Sequence, residues 1–205
     1  MSKTKKSKNK FWMRKKEKKF FLSHIEESHR VLEWGSGKST LYLQDKVKKL
    51  ISIEHDPKWY DELKDKLKES VEYILATPNI PEWENQFSIV GEDEHGNTQI
   101  DKNIKSDDGS FEDFCNYVAA PLLAQRMGAI SDEKFDIIFI DGRARVACAF
   151  MSMFLLKPEG KIFIHDFGPE VNHPTLPYRV YYDLVNNFLE PVDNVKSMYM
   201  FKVRS

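Results

Sequence analysis

Between Val31 and Val203 the chain alternates short, continuously apolar runs with stretches whose apolar residues recur at helical spacing. The apolar runs are Val31–Trp34, Leu50–Glu54, Val71–Ala76, Phe135–Ile140 and Lys161–Ile164. Runs of this kind, without polar alternation, predict strands buried on both faces of a parallel sheet. Helical spacing fills the gaps: Leu41, Leu43 and Val47 after Ser39, then Trp59, Tyr60, Leu63 and Leu67 after Pro57. Phe111–Met127 and the almost wholly apolar Val146–Leu156 predict two more helices. A helix near Tyr178–Phe188 precedes two last strands, around Glu190–Val192 and Val195–Val203. The short Pro191–Asn194 link makes that pair an expected antiparallel hairpin. The alternation predicts an α/β three-layer sandwich around a mostly parallel, seven-stranded sheet.

Two segments fall outside the pattern. Residues 78–110 show no period and are rich in Pro, Asn, Gly and acids, including Glu92-Asp93-Glu94 and Asp107-Asp108-Gly109. They predict an irregular acidic insertion, either a lid or binding loop or a solvated excursion. At the other end, ten of the 31 Lys and Arg residues lie within residues 1–19, beside a single acid, Glu17. The rest of the chain then carries 21 bases against 31 acids, so the net charge of -1 conceals a basic arm on an acidic body. Residues 1–19 read as a flexible arm, with 1–10 disordered and helix expected from Phe11 to His29, and 20–205 as one domain. The arm is either a contact for nucleic acid or another polyanion, or a solvated tail without effect on turnover. The lack of aromatic residues before Phe11 favours the tail.

Composition narrows the classes. The 41 % hydrophobic and 31 % charged content and the mean hydropathy of -0.54 are those of a globular chain. No apolar run approaches the roughly 18 residues of a membrane span. Cys115 and Cys148 form no Cys-x-x-Cys pair, so neither a zinc site nor a disulfide framework is expected, and a reducing cytoplasm fits.

Candidate chemistry sits where the apolar runs end. The first passes from Val31-Leu32-Glu33-Trp34 into Gly35-Ser36-Gly37-Lys38-Ser39-Thr40, and Glu54 closes the second, nineteen residues after Gly35. A strand, a glycine turn, a helix and an acid-terminated strand form the arrangement that grips an adenosine-containing cofactor. Glycines let the backbone approach such a ligand, and the acid can accept both ribose hydroxyls. Gly37-Lys38-Ser39-Thr40 also looks like the end of a phosphate-binding loop. That loop needs a glycine five positions before Gly37, where Leu32 stands inside the strand, so a nucleoside triphosphatase is excluded.

With Glu33, Gly35, Gly37 and Glu54 in place, Lys157-Pro158-Glu159-Gly160 before the fifth strand and a terminal hairpin, the chain resembles the class I S-adenosylmethionine-dependent methyltransferases over residues 28–203. The resemblance implies their Rossmann-like fold and S-adenosyl-L-methionine as cofactor. It places Gly35, Ser36 and Gly37 against the methionine part, Glu33 near its ammonium and Glu54 on the ribose, with Ser39 and His55 close by. The chain departs from the family pattern after the third strand, where Ala76, Thr77 and Pro78 replace a common acid.

Methyl transfer to a hydroxyl needs a base, or a metal that acidifies the acceptor. Asp141, ending the fourth strand, and His165-Asp166, ending the fifth, are the candidate catalytic groups. Adjacent strands are about 4.8 Å apart, so these side chains should meet at the carboxyl edge of the sheet. The pattern is also similar to metal-dependent O-methyltransferases, which implies Mg or Mn on Asp141 and Asp166, although Phe167 stands where those enzymes have a further ligand. Arg143 and Arg145 follow Asp141 and are candidate acceptor contacts, or partners of Asp141 or the acidic loop. Tyr178 and Arg179, with Tyr181 and Tyr182, are candidate pocket walls, or ordinary helix packing. The Asp141-Gly142-Arg143-Ala144-Arg145 run resembles small methyltransferases of bacteria and large algal viruses, some of whose relatives methylate deoxysugar hydroxyls. That implies a sugar or glycan acceptor. RNA or protein methylation, or a cofactor-binding module without turnover, are the alternatives.

Overall fold

Every apolar run expected to be a strand is one in the computed structural model, which describes residues 13–79, 87–92, 98–105, 108–168 and 184–204. Strands β1 (Arg30–Trp34), β2 (Lys49–Glu54) and β3 (Val71–Leu75) run parallel to one another. An excursion carries β4 (Phe87–Glu92) and β5 (Thr98–Lys105), which pair with each other, antiparallel, as a separate two-stranded sheet among the described residues. The chain then returns to add β6 (Phe135–Ile140) beside β1 and β7 (Leu156–Ile164) beside β6, both parallel. Strands β8 (Leu189–Val195) and β9 (Met198–Val203) close the sheet antiparallel, giving the order β3-β2-β1-β6-β7-β9-β8. The α/β sandwich with its terminal hairpin is therefore as expected.

Alternate residues of each strand feed two cores. Leu32, Trp34, Ile51, Ile53, Ile138 and Ile140 face helices α4 (Phe111–Arg126) and α5 (Arg145–Leu155). Val31, Leu50, Ile137, Phe139 and Phe163 face the other way, toward α1 (Lys15–Leu22) and α2 (Lys38–Leu43). Helix α3 (Pro57–Lys64) starts where expected, with Pro57 in its first turn and the Asp56 side chain accepting from the Lys58 and Trp59 amides. Cys148, within the apolar helix α5, is fully buried in the first core.

Four expectations need correction. The stretch 78–110 is not uniformly irregular, because β4 and β5 lie inside it. Helix α1 is shorter than Phe11–His29, and Lys15–Lys19 belong to it rather than to a flexible arm. The hairpin turns at Lys196-Ser197, with Lys196 at φ 58°, not at Pro191–Asn194. Pro191 is tolerated inside β8 because that strand is the sheet's outer edge. Strand β7 reaches back to Leu156, crossing Lys157-Pro158-Glu159-Gly160 with an irregular register. Residues 1–12 and most of the expected Tyr178–Phe188 helix lie outside the described residues; of the latter, Leu184–Asn187 form one 3-10 turn. Among the described residues no helix is long and apolar enough to cross a membrane.

The strand order reverses direction between β1 and β6, and a crevice opens there at the carboxyl ends of a doubly wound sheet. Helix α1 lies under this edge. Phe21 is fully buried, stacked on Phe139 at 4.6 Å and edge-on to Phe163 at 5.1 Å. Truncating a buried phenylalanine costs about 3–5 kcal/mol. Phe21→Ala should lose that amount in urea unfolding, and an unchanged stability would contradict this packing.

Candidate active site

The glycine turn is held by contacts that forbid a side chain at one glycine and leave space at the other. Gly35 adopts φ +92°, and a Cβ there would stand 2.5 Å from the Gly142 amide nitrogen. The turns after β1 and β6 thus meet backbone to backbone, which only glycine permits. A Cβ on Gly37 would meet nothing within 4 Å. The ladder continues one residue past the strands: Gly35 N donates to Ile53 O, Asp141 N to Trp34 O and His165 N to Ile140 O. These bonds align the first residues after β1, β6 and β7 along one edge.

Glu33 works from behind this turn. It is fully buried, and its carboxylate accepts from Ser39 Oγ, from Thr40 Oγ1 at 2.6 Å and from Ser52 Oγ at 2.7 Å. Thr40 Oγ1 also accepts from the Gly37 amide, and Ser52 Oγ meets Ser36 Oγ at 3.0 Å. A buried carboxylate without donors would be costly, and three hydroxyls supply them. Even so, burial, reinforced by the charge of Asp141, outweighs those hydrogen bonds and raises the Glu33 pKa to about 7. Glu33 has no exposed oxygen toward the crevice, so its expected contact with an ammonium group is not formed by this arrangement.

Glu54 does face the crevice. Its oxygens accept from the amides of Ser36 at 3.0 Å, His55 at 2.8 Å and Asp56 at 2.9 Å, which fixes the carboxylate and draws the glycine turn toward β2. The Trp59 indole closes the same corner by donating to Ser36 O at 2.8 Å. Together with Gly35, Ser36, Gly37, Ser39 and His55, Glu54 lines one half of a cavity of about 610 Å³, a size suited to a nucleotide-like ligand.

The other half comes from the ends of β6 and β7. His165 Nδ1 lies 2.8 Å from Asp141 Oδ1 and 3.6 Å from Asp166 Oδ2. Burial works against a charged imidazole here, but the hydrogen bond to Asp141 and the charges of Asp141, Asp166 and Glu17 prevail and raise the His165 pKa. Asp166 sits at φ +52°, in the left-handed region, with its side chain half exposed. Ligand atoms of Asp141, His165 and Asp166 lie within 4.8 Å of one another, so the spacing alone would suit a divalent ion. The His165 ring is already hydrogen-bonded to Asp141 through Nδ1 and faces Glu17 through Nε2. As arranged, the cluster leaves the Asp141 and Asp166 carboxylates, rather than the imidazole, to an ion.

Asp141, His165, Asp166, Arg143 and Arg145 all line the cavity, so both sets of strand-end residues share it. Arg145 is engaged elsewhere, paired with buried Asp108 at 3.1 Å, which realises the alternative pairing with the acidic stretch. Tyr178, Arg179, Tyr181 and Tyr182 lie outside the described residues. Sequence reasoning missed Met13 and Trp59, which also line the cavity, and Glu17, which stands behind His165. For Glu17 the available signal was an acid alone among ten bases, at a helical spacing of four from Met13 and Phe21.

No family model matches the sequence, and neither does any curated protein. Solved structures do match. A methyltransferase-like protein from Silicibacter pomeroyi superposes with a TM-score of 0.61 at 20% identity, covering 96% of this chain and 89% of its own. The CcbJ methyltransferase from Streptomyces caelestis gives 0.52 at 12% identity, over 93% and 89% of the two chains. The Methanococcus jannaschii fibrillarin pre-rRNA processing protein gives 0.50 at 17%, over 88% and 68%. The chain thus shares the Rossmann-like fold of these proteins.

The buried Glu33 carboxyl makes a prediction about pH. Between 4.5 and about 7 the folded chain holds a proton on Glu33 that the unfolded chain has released. Stability therefore falls through that window, by about 3 kcal/mol, and the loss is complete above it. Glu33→Gln should gain on the wild type in urea unfolding as pH rises from 4.5 to 7, then keep a constant lead. A difference independent of pH would contradict the assignment.

Proposed function

We propose that the chain is an S-adenosyl-L-methionine-dependent methyltransferase that transfers the methyl group to a hydroxyl, with a sugar of a glycan or small polyhydroxy molecule as acceptor. The observation that carries this reading is the single cavity in which the glycine turn and Glu54 face Asp141, His165 and Asp166. A cofactor-binding module without turnover has no use for the second half of that wall. The shared fold supports the reading, and the sugar rests on the resemblance of the Asp141–Arg145 run.

The cofactor, when bound, supplies an electrophilic methyl group. The chain's own task is to hold acceptor and methyl in line and to take the hydroxyl proton. Glu54, already fixed by three amides, keeps an acceptor site on Oε2 for a ribose hydroxyl. The turn beside it offers backbone without side-chain obstruction at Gly37. Glu33 contributes indirectly, by holding the hydroxyls of Ser39, Thr40 and Ser52 that shape this turn.

Asp166 is the general base of this reading. It is the most exposed member of the cluster, and its left-handed backbone is the kind of local strain that collects at working sites. His165 is almost fully enclosed, with a carboxylate facing each ring nitrogen, and serves to hold Asp141 and Asp166. Arg143, at the cavity wall, is the cationic contact for acceptor hydroxyls, and Tyr178 and Arg179 remain proposed contacts.

A methyl-transfer screen over sugars, nucleotides, RNA, protein and catechols, with magnesium or with a chelator, tests the reading. Transfer to a sugar hydroxyl that is indifferent to chelator is expected, falling about 100- to 10,000-fold in Asp166→Asn with cofactor affinity kept. Transfer to RNA or protein but to no hydroxyl acceptor, or full activity in Asp166→Asn, would reject it.

A further inference from the structure

Helix α1 brings a carboxylate to the rear of the catalytic cluster. Glu17 is 1% exposed although it belongs to a run of lysines. Its Oε1 accepts from Ser197 N at 3.1 Å and from Ser197 Oγ at 2.9 Å, at the turn between β8 and β9. Its Oε2 accepts from the Arg14 amide at 2.7 Å and lies 3.6 Å from His165 Nε2. Burial acts to raise its pKa, but the hydrogen bonds from Arg14 and Ser197 and the charge of His165 hold it below the ordinary range.

A helix cap alone does not explain this position. A carboxylate at the third helical position serves its cap equally well in water, where it loses no hydration. Here it is desolvated, and it faces the ring nitrogen opposite the one that Asp141 holds at 2.8 Å. The imidazole thus has a carboxylate at each nitrogen, hydrogen-bonded to Asp141 at the end of β6 on one side and facing Glu17 of the N-terminal helix on the other. The tie reaches further, because Ser197 Oγ, which donates to Glu17, stands 3.4 Å from Asp166 Oδ1. Met13, four residues before Glu17, also lines the cavity.

We propose that Glu17 is a positioning residue of the methyl-transfer site, holding the His165 ring and through it Asp141 and Asp166, so that the segment before the first strand is a working part of the active site. The proposal rests on the function proposed above. It also replaces the picture of residues 1–19 as a tail whose removal leaves turnover intact, since that deletion takes Met13 and Glu17 with it.

Three variants of the full chain separate positioning from simple structural support. Glu17→Gln keeps the size and an oxygen for Ser197 but removes the charge facing His165; Glu17→Asp keeps the charge; Glu17→Ala keeps neither. The expected result for Glu17→Gln is a melting temperature and cofactor affinity near those of the wild type, an unchanged acceptor KM, and kcat at least tenfold lower. Glu17→Asp should recover part of that kcat, and Glu17→Ala none. A Glu17→Gln kcat within twofold of the wild type, or losses that follow melting temperature across the series, would overturn the proposal. A second readout needs no turnover: imidazole nitrogen NMR of His165 should shift its Nε2 signal in Glu17→Gln. If the wild type methylates nothing, the function reading fails by itself, and an unmoved Nε2 signal would then overturn the hold of Glu17 on the ring.

Discussion

A carboxylate taken out of water must be given donors in place of its hydration, and the carboxyl edge of this sheet is built around that demand. Glu33 receives three hydroxyls, Glu54 three backbone amides, and Glu17 two amides and a hydroxyl. Each set of donors comes from different elements, so satisfying the charge also fixes their relative placement. Glu33 binds α2 and β2 to β1. Glu54 pulls the glycine turn against β2. Glu17 joins α1, the β8–β9 turn and the end of β7. The cavity is the space these three ties leave open.

This view explains why the two halves of the wall differ in character. On the β1–β2 side the carboxylates are satisfied by short, local groups, and the result is a stiff cradle with a bare backbone at Gly37. On the β6–β7 side the acids crowd together. Asp141, Asp166 and Glu17 share one imidazole, and Asp166 retains solvent contact and a left-handed backbone. A cradle suits recognition of a cofactor common to every turnover. A cluster with acceptor capacity to spare suits the removal of a proton.

Most of the scaffold was legible in the sequence because buried parallel strands write themselves as unbroken apolar runs, as Phe135–Ile140 does. Strand ends were legible for the same reason, since Glu54, Asp141 and His165 interrupt such runs with polar groups. What escaped notice depended on tertiary contact. Ser197 and Glu17 are 180 residues apart; nothing local marks Ser197 as buried, and Glu17 shows only its helical spacing from Met13 and Phe21. Glu33 was found but assigned outward, because a strand-end acid does not reveal which face of the sheet it takes. Alternation settles that point only once the register places Val31, Leu50 and Ser52 on the α1–α2 side. The β4–β5 pair lay hidden because acids and glycines obscure the strand pattern in that stretch.

The cradle half of the cavity is the foundation of the proposed chemistry, and calorimetric titration with S-adenosylhomocysteine examines it without requiring an acceptor. The wild type should bind one equivalent, and Glu54→Ala should bind at least tenfold more weakly while remaining folded. No binding by the wild type, or equal binding by both proteins, would contradict the assignment of this edge to a sulfonium nucleoside.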